Sequence, residues 1–193
     1  MNQIIFKLNY HIIYFLFLLL VIPSSYGAAK PTIQANYTTD KIKLDGHFDE
    51  PAWNDAMKAG SDMLQYEPRQ GVPMSQKTEF MVVYDDQNIY FGIIAYDTEP
   101  QKIVASVMER DELPFYDDSL FLAIDTMNDN RNGYVLWTNP NGVKYDASVT
   151  NNSSLNVQWD GIWDVKAVRT KHGWQAEVRL PFSTVRQLAG ANV

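Results

Sequence analysis

Hydrophobic and polar residues alternate with a period of two along much of the chain, and this pattern predicts a β-rich protein. The clearest run is 174–180, whose even positions hold Trp, Ala, Val and Leu while its odd positions hold Gln, Glu and Arg. The runs at 78–84 and 89–96 are apolar on both faces, which is typical of central strands that are covered on both sides. The same reasoning predicts further strands at 41–44, 120–124, 133–138, 143–149 and 163–167.

Turn-forming residues separate these runs at short intervals. Asp85–Asn88 suits a hairpin between the two central strands, and Asn139–Gly142 places Pro at the second turn position and Gly where a positive φ is needed. One short helix is predicted around Pro51, with Asp49 as its N-cap, and we expect its Trp53 to close one end of the fold. Short strands with a single helix predict an all-β protein, an antiparallel β-sandwich.

The two ends of the chain differ from its middle. Residues 12–22 form an apolar run preceded by Lys7 and followed by small residues, and this run is far shorter than the roughly 20 residues of a membrane-spanning helix. We therefore predict a signal peptide at 1–27 and a domain at 28–193, exported to the periplasm, the outer membrane or the extracellular space; an uncleaved anchor is the alternative. Residues 182–193 show no strand pattern, so we expect the sandwich to be C-terminally truncated and to lack its last strand.

Charge and residue types exclude several functions. Lys and Arg number 16 against 23 Asp and Glu, a net charge of −7, which leaves no basic face for nucleic acid. The chain has no cysteine, and beyond the predicted signal peptide its only histidines are His47 and His172. Since the common hydrolase and phosphate-binding motifs are missing, we predict no catalytic residue. Acids such as Glu109, Asp117 and Asp118 leave a glycoside hydrolase fragment as the alternative.

Aromatic side chains are abundant, and several lie beside acids in predicted loops. Trp, Tyr and Phe make up 13% of the residues. Sugars present apolar C–H faces that suit aromatic rings and hydroxyl groups that suit carboxylates. The predicted partner is therefore a polysaccharide or oligosaccharide. The candidate carbohydrate-binding residues are Phe115, Tyr116, Asp118, Trp137 and Trp159.

The loop at 125–133 offers oxygen ligands of the kind that calcium prefers. Asp125, Asn128 and Asp129 are the candidate ligands, although the loop lacks the acid spacing of an EF-hand. The alternative is a polar hairpin loop in which these side chains accept hydrogen bonds from their own backbone. Calcium is the one cofactor that the sequence suggests.

Five stretches of the chain, taken in order, are similar to a known family. The order resembles the family 9 carbohydrate-binding modules over about Ile42 to Arg186. More narrowly, it resembles the family-9-like N-terminal domain of large exported bacterial proteins associated with a C-terminal outer-membrane barrel. The resemblance implies a jelly-roll-like β-sandwich, sugar binding, calcium in some members, and an association with O-glycosyl hydrolases. The stretches are Leu44–Trp53, Val83–Phe91, Asp118–Asp125, Asn139–Gly142 and Gly173–Phe182.

The resemblance also implies where a sugar would bind. Family members that bind sugar hold it between two aromatic rings, and Phe115 or Tyr116 stands at the position of the first ring, while the second would lie beyond Val193. Phe121 and Val135 stand where such members carry an acid and an arginine that bind the sugar hydroxyls.

Two functions from different classes follow. The first is a non-catalytic carbohydrate-binding module of an exported protein, attached to a carbohydrate-degrading or envelope-barrel protein. The second is a structural or interaction domain of an outer-membrane protein that binds no sugar. The absence of an acid and an arginine at positions 121 and 135 favours the second function.

Overall fold

Two β-sheets pack face to face in the part of the chain that the computed structural model describes, residues 33–60 and 63–185. The described strands are β1 (Asn36–Tyr37), β2 (Thr78–Tyr84), β3 (Asn88–Tyr96), β4 (Leu120–Ile124), β5 (Gly133–Thr138), β6 (Tyr145–Thr150), β7 (Ser154–Asn156), β8 (Asp164–Thr170) and β9 (Gly173–Pro181). One sheet has the order β1-β2-β3-β9-β8, and the other has the order β4-β5-β6-β7. Neighbouring strands are antiparallel, except that β1 runs parallel to β2. The predicted all-β sandwich is confirmed.

A single α-helix, α1 (Pro51–Asp55), accompanies the strands in the described residues, as predicted. Two 3-10 turns occur at Pro100–Lys102 and Phe182–Thr184. Of the helices that the structure describes, none has the length and apolar character needed to cross a membrane.

The space between the sheets is filled by the apolar faces of the alternating strands. The inward residues of β9 from Trp174 to Leu180 pack there against Trp163 and against Leu136 of the other sheet. The hydrophobic effect of burying such large side chains, about 1.5–3 kcal/mol each, stabilises the sandwich. The alternation read from the sequence thus identifies the face of β9 that forms this core.

A second apolar cluster covers the outer face of the five-stranded sheet, because the segment from Ile42 to Ala56 folds over it. Trp53 is buried in this cluster, and its indole Nε1 donates to the buried carboxylate of Glu177 at 3.2 Å. The expectation that Trp53 closes one end of the sandwich is wrong, since the ring lies against the middle of the sheet, beside Gly92 of β3.

The Asp45-Gly46 turn reaches the same carboxylate. The backbone N–H groups of Asp45 and Gly46 donate to Glu177 Oε2 at 2.9 and 2.7 Å. Gly46 adopts a φ of 87°, a conformation that side chains with a Cβ disfavour. Burial raises the pKa of Glu177 to about 7, although these N–H donors oppose the shift.

Three sequence predictions of local structure are corrected. Residues 41–44 form no strand, because the N–H of Lys43 donates to the Glu50 side chain instead of to a neighbouring strand. The residue before α1 is Glu50 rather than Asp49, since a residue that precedes proline is held extended. Strand β6 begins two residues later than predicted, because the N–H of Val143 still belongs to the preceding turn, where it donates to Asn139.

Two strands were missed by the sequence analysis. The short edge strands β1 and β7 have two and three residues and no apolar alternation. The predicted signal peptide at 1–27 and residues 186–193 of the C-terminal segment lie outside the described residues, so the missing last strand stays a prediction.

Candidate functional site

Four aromatic side chains come together on the outer face of the four-stranded sheet. Phe121 of β4 and Trp137 of β5 are cross-strand partners, and their ring centroids lie 5.2 Å apart. The ring centroid of Phe115 lies 6.4 Å from that of Trp137, and the ring centroid of Tyr116 lies 5.3 Å from that of Phe115. We call these four residues the aromatic surface. Tyr145 of β6 supports Trp137 from its other side.

Three members of the aromatic surface are open to solvent. The exposed fractions are 64% for Phe115, 89% for Tyr116 and 54% for Phe121. Trp137 is half-buried beneath them, and its indole Nε1 is buried with no hydrogen-bond partner in the described structure. The ring planes meet at 61° to 88°, so these rings form a folded surface rather than a flat one.

The loop that carries Phe115 and Tyr116 is anchored by the buried carboxylate of Asp117. Its Oδ1 accepts the backbone N–H and the hydroxyl of Ser106, at 2.8 and 2.7 Å. Its Oδ2 accepts the N–H of Val107 at 3.0 Å and the side-chain amide of Asn139 at 2.7 Å. Burial by itself would raise the pKa of Asp117, but these donors hold it at about 2.

The Asn139–Gly142 turn holds the same loop from the other side. Asn139 Oδ1 accepts the N–H groups of Asn141 and Val143, which shapes the turn. The Asn141 amide donates to the carbonyls of Ala105 and Val107, at 3.0 Å each. The turn that the sequence predicts therefore also holds the segment around Ala105 and Val107, which in turn anchors the loop of the exposed rings.

Asp118 is the second acid after the exposed rings in the sequence, and the backbone of a neighbouring segment occupies its carboxylate. Asp118 is half-buried, and its Oδ2 accepts the N–H of Val104 at 2.6 Å while its own N–H donates to the carbonyl of the same residue. This carboxylate anchors the chain, as that of Asp117 does. The apolar side chains of Phe121 and Val135 stand where the family resemblance leads us to expect an acid and an arginine.

Trp159 lies apart from the aromatic surface. Its ring contacts Tyr134, with centroids 4.7 Å apart, and it packs against the core between the sheets. Tyr134 and Trp137 are three residues apart on β5, so their side chains leave the strand on opposite faces. The structure therefore brings three of the predicted site residues together, namely Phe115, Tyr116 and Trp137, and it separates Trp159 from them.

The candidate calcium loop uses its carboxylates within its own backbone. Asp125 accepts the N–H groups of Met127 and Asn130, at 3.0 and 2.7 Å, and Asp129 accepts those of Arg131 and Asn132 at 2.8 Å each. Within residues 33–60 and 63–185, no group of three or more His, Asp or Glu side chains is placed to hold a metal ion.

Asn128, the third candidate ligand, has a φ of 52° in this loop. These bonds are those of the hairpin-loop alternative, and calcium binding stays a prediction.

Comparison with known proteins shows the family to which the chain belongs. Residues 44–193 match the carbohydrate family 9 binding domain-like family. A family 9 carbohydrate-binding module from Caldicellulosiruptor kristjanssonii in complex with glucose is 16% identical, with 79% of this chain and 71% of that chain covered and a TM-score of 0.55. The family 9 module from the same organism in complex with cellotriose is 17% identical, with coverages of 78% and 68% and a TM-score of 0.53.

A third similar structure comes from Bacteroides uniformis ATCC 8492 and is named for carbohydrate binding. It is 11% identical, with 78% of this chain and 72% of that chain covered and a TM-score of 0.60. No curated protein matches the chain. At these identities the solved structures show a common fold. The family match includes every described strand except β1. The chain belongs to the carbohydrate family 9 binding domain-like family.

Proposed function

We propose that this chain is a non-catalytic carbohydrate-binding module of an exported protein and that it binds a polysaccharide or oligosaccharide chain on the aromatic surface. The observation that carries the proposal is the exposure of Phe115, Tyr116 and Phe121 on a loop and a strand held in place by buried hydrogen bonds. Large apolar rings left open to water in this way usually mark a binding site. Family membership and the glucose and cellotriose complexes of similar structures support a sugar as the ligand.

The chemistry of the surface indicates the strength of binding. The exposed rings can cover the C–H faces of a sugar, but the carboxylates of Asp117 and Asp118 beside them are already hydrogen-bonded within the chain. We expect dissociation constants of roughly 0.1–1 mM, which corresponds to about 4–5.5 kcal/mol of binding free energy. A polymer offers many equivalent sugar units to the same site, and this multiplicity would raise the apparent affinity for the whole chain.

Affinity electrophoresis in gels that contain soluble polysaccharides tests the proposal. The Tyr116→Ala and Phe115→Ala variants should lose retention in a gel that retards the wild type. Tyr66→Ala is a matched control, because Tyr66 is 80% exposed and lies on a different loop. Equal retention of the three variants and the wild type would reject the aromatic surface as the site.

A second candidate function is supported by the same surface. An exposed patch of aromatic rings also suits contact with another protein, and Phe121 and Val135 supply no polar group to a sugar. In that case the chain is a structural or interaction domain of an outer-membrane protein. Polysaccharide gels would then leave the wild type unretarded, and chemical cross-linking from position 116 in the native envelope would capture a partner protein.

Export is part of the proposal and rests on the sequence of residues 1–29. An apolar run that follows Lys7 and precedes small residues is typical of a secretory signal. Mass spectrometry of the mature protein should find an N-terminus at Ala28. A mature protein that begins at Met1 would show an uncleaved anchor instead.

A further inference from the structure

A cavity of about 510 Å³ opens beside Trp159, between the loop that joins β4 to β5 and strand β6. Cavities that hold small molecules have volumes of about 300–1,000 Å³. Tyr134 and Ser148, cross-strand partners on β5 and β6, line it together with Trp159. Because Tyr134 and Trp137 leave β5 on opposite faces, this cavity and the aromatic surface lie on opposite sides of the four-stranded sheet.

The Trp159 ring is held in one position by the chain around it. A Cβ at Gly161 would lie 2.5 Å from Trp159 Cη2, so the ring rests directly on the glycine backbone. The N–H of Gly161 donates to the buried carboxylate of Asp146 at 2.9 Å, and Arg110 donates to the same carboxylate at 2.8 Å. Tyr134 packs against the indole. An aromatic ring that is ordered before binding loses little entropy when a ligand arrives.

The polar groups of the cavity suit a neutral sugar. Ser148 and Thr150 contribute hydroxyl groups to its lining. At the loop side, the side-chain amide of Asn132 donates to the carboxylate of Asp129 at 2.6 Å, so these two groups are paired with each other. Among the described residues that line the cavity there is no Lys, Arg or His. Hydroxyl-rich neutral ligands match the hydroxyl groups of Ser148 and Thr150, whereas a ligand carboxylate would face the carboxylate of Asp129.

We propose that this cavity is a second saccharide-binding site, specific for neutral sugars and independent of the aromatic surface. The class of ligand rests on the proposed function, while the location rests on residues that the aromatic surface does not use. Two sites on opposite faces of one sheet would allow a single domain to hold two chains, or two segments of one chain.

Indole N–H signals in two-dimensional NMR provide a separate probe for each site. The chain contains five tryptophans, so the signals of Trp137 and Trp159 can be assigned by substitution to Phe. Titration with cellotriose, xylotriose and mannotriose, each to 50-fold excess, should shift the Trp159 signal with at least one of them. Trigalacturonate should leave it unshifted.

Two variants separate binding from folding. Thr150→Trp places a bulky ring at an exposed position that lines the cavity, where β-strand structure tolerates Trp, and it should reduce the affinity that the Trp159 signal reports by about tenfold or more. Tyr116→Ala alters the aromatic surface alone and should leave the Trp159 titration unchanged.

The outcomes distinguish the two proposals. Shifts at Trp159 that persist in Tyr116→Ala and disappear in Thr150→Trp would establish the second site. Shifts at Trp137 without any at Trp159 would overturn it and leave the proposed function standing. Shifts at Trp159 without any at Trp137 would place sugar binding in the cavity alone, and the absence of shifts at both would reject both proposals.

Discussion

Replacement of Asp117 by Asn tests how the chain positions its exposed rings. The carboxylate accepts four hydrogen bonds, two on each oxygen, from Ser106, Val107 and Asn139. In Asp117→Asn one oxygen becomes an amide NH₂, so two of the four donors face another donor. Leaving a buried donor unsatisfied costs about 1–3 kcal/mol, and we expect Asp117→Asn to lose roughly 2–4 kcal/mol of unfolding free energy at pH 7.

The lowered pKa of Asp117 arises from the same hydrogen bonds and gives a second way to express their magnitude. The folded-state pKa of Asp117 is about 2, against 3.8 for an unperturbed aspartate. A lowered carboxyl pKa stabilises the folded state at pH values above the unfolded pKa, and this contribution is lost as the pH falls through about 2. The difference corresponds to about 2 kcal/mol, which lies in the range expected from the hydrogen bonds that cause it.

Urea denaturation at several pH values is the assay. The stability difference between wild type and Asp117→Asn should shrink by about 2 kcal/mol between pH 5 and pH 2, because the wild type becomes protonated and the variant does not. Glu112→Gln removes a charge from an exposed position of the same segment and should change stability by less than about 0.5 kcal/mol. A difference for Asp117→Asn below about 1 kcal/mol at pH 7, and constant with pH, would refute this reasoning.

Further predictions concern other parts of the molecule. Burial raises the pKa of Glu177 to about 7, from 4.5 for an unperturbed glutamate, so the wild type should lose about 3 kcal/mol of stability between pH 4.5 and pH 7. In the same denaturation assay, Glu177→Gln should remove this pH dependence. Parallel pH profiles of the wild type and the variant would contradict the prediction. Gly161→Ala should displace the Trp159 ring and cost about 1–3 kcal/mol, visible as a lower melting temperature and a moved Trp159 indole signal. If the loop at 125–133 binds calcium, calorimetric titration of chelator-treated protein should give heat and a higher melting temperature, and their absence would reject the site.

The strands were predictable because their signal is local. A period of two identifies β4 and β9, and continuous apolar runs bounded by turn residues identify β2 and β3. The alternation at 41–44 has a different origin, since Ile42 is buried against the outer face of a sheet while Lys43 faces water without a neighbouring strand. Local periodicity reports which side chains are buried, and it cannot report whether the backbone pairs.

The candidate site was predictable only in part, because it depends on contacts between distant residues. The sequence identified Phe115 and Tyr116 as exposed rings beside acids, but it could not assign Trp137 and Trp159 to opposite faces of one sheet, since that assignment depends on how the segment after β7 folds back. The role of Asp117 was also missed, because its partner Asn139 lies 22 residues away.

Glu177 illustrates the same limit in the fold. Alternation places it on the face of β9 opposite Trp174, which in an isolated sandwich would face water. The Asp45-Gly46 turn covers it from 131 residues away and makes its carboxylate the acceptor for two backbone N–H groups. The sequence indicates this contact only through the recognisable Leu44–Trp53 stretch. That stretch does not show which residue of the sheet it contacts.

Binding of sugar at the aromatic surface is the central claim, and glycan-array binding of the Phe115→Ala/Tyr116→Ala double variant tests it most directly. The wild type and Tyr66→Ala should bind at least one common glycan, and the double variant should lose that signal while its melting temperature stays within a few degrees of the wild-type value. Undiminished binding by the double variant, or no glycan bound by the wild type at millimolar sensitivity, would contradict the claim.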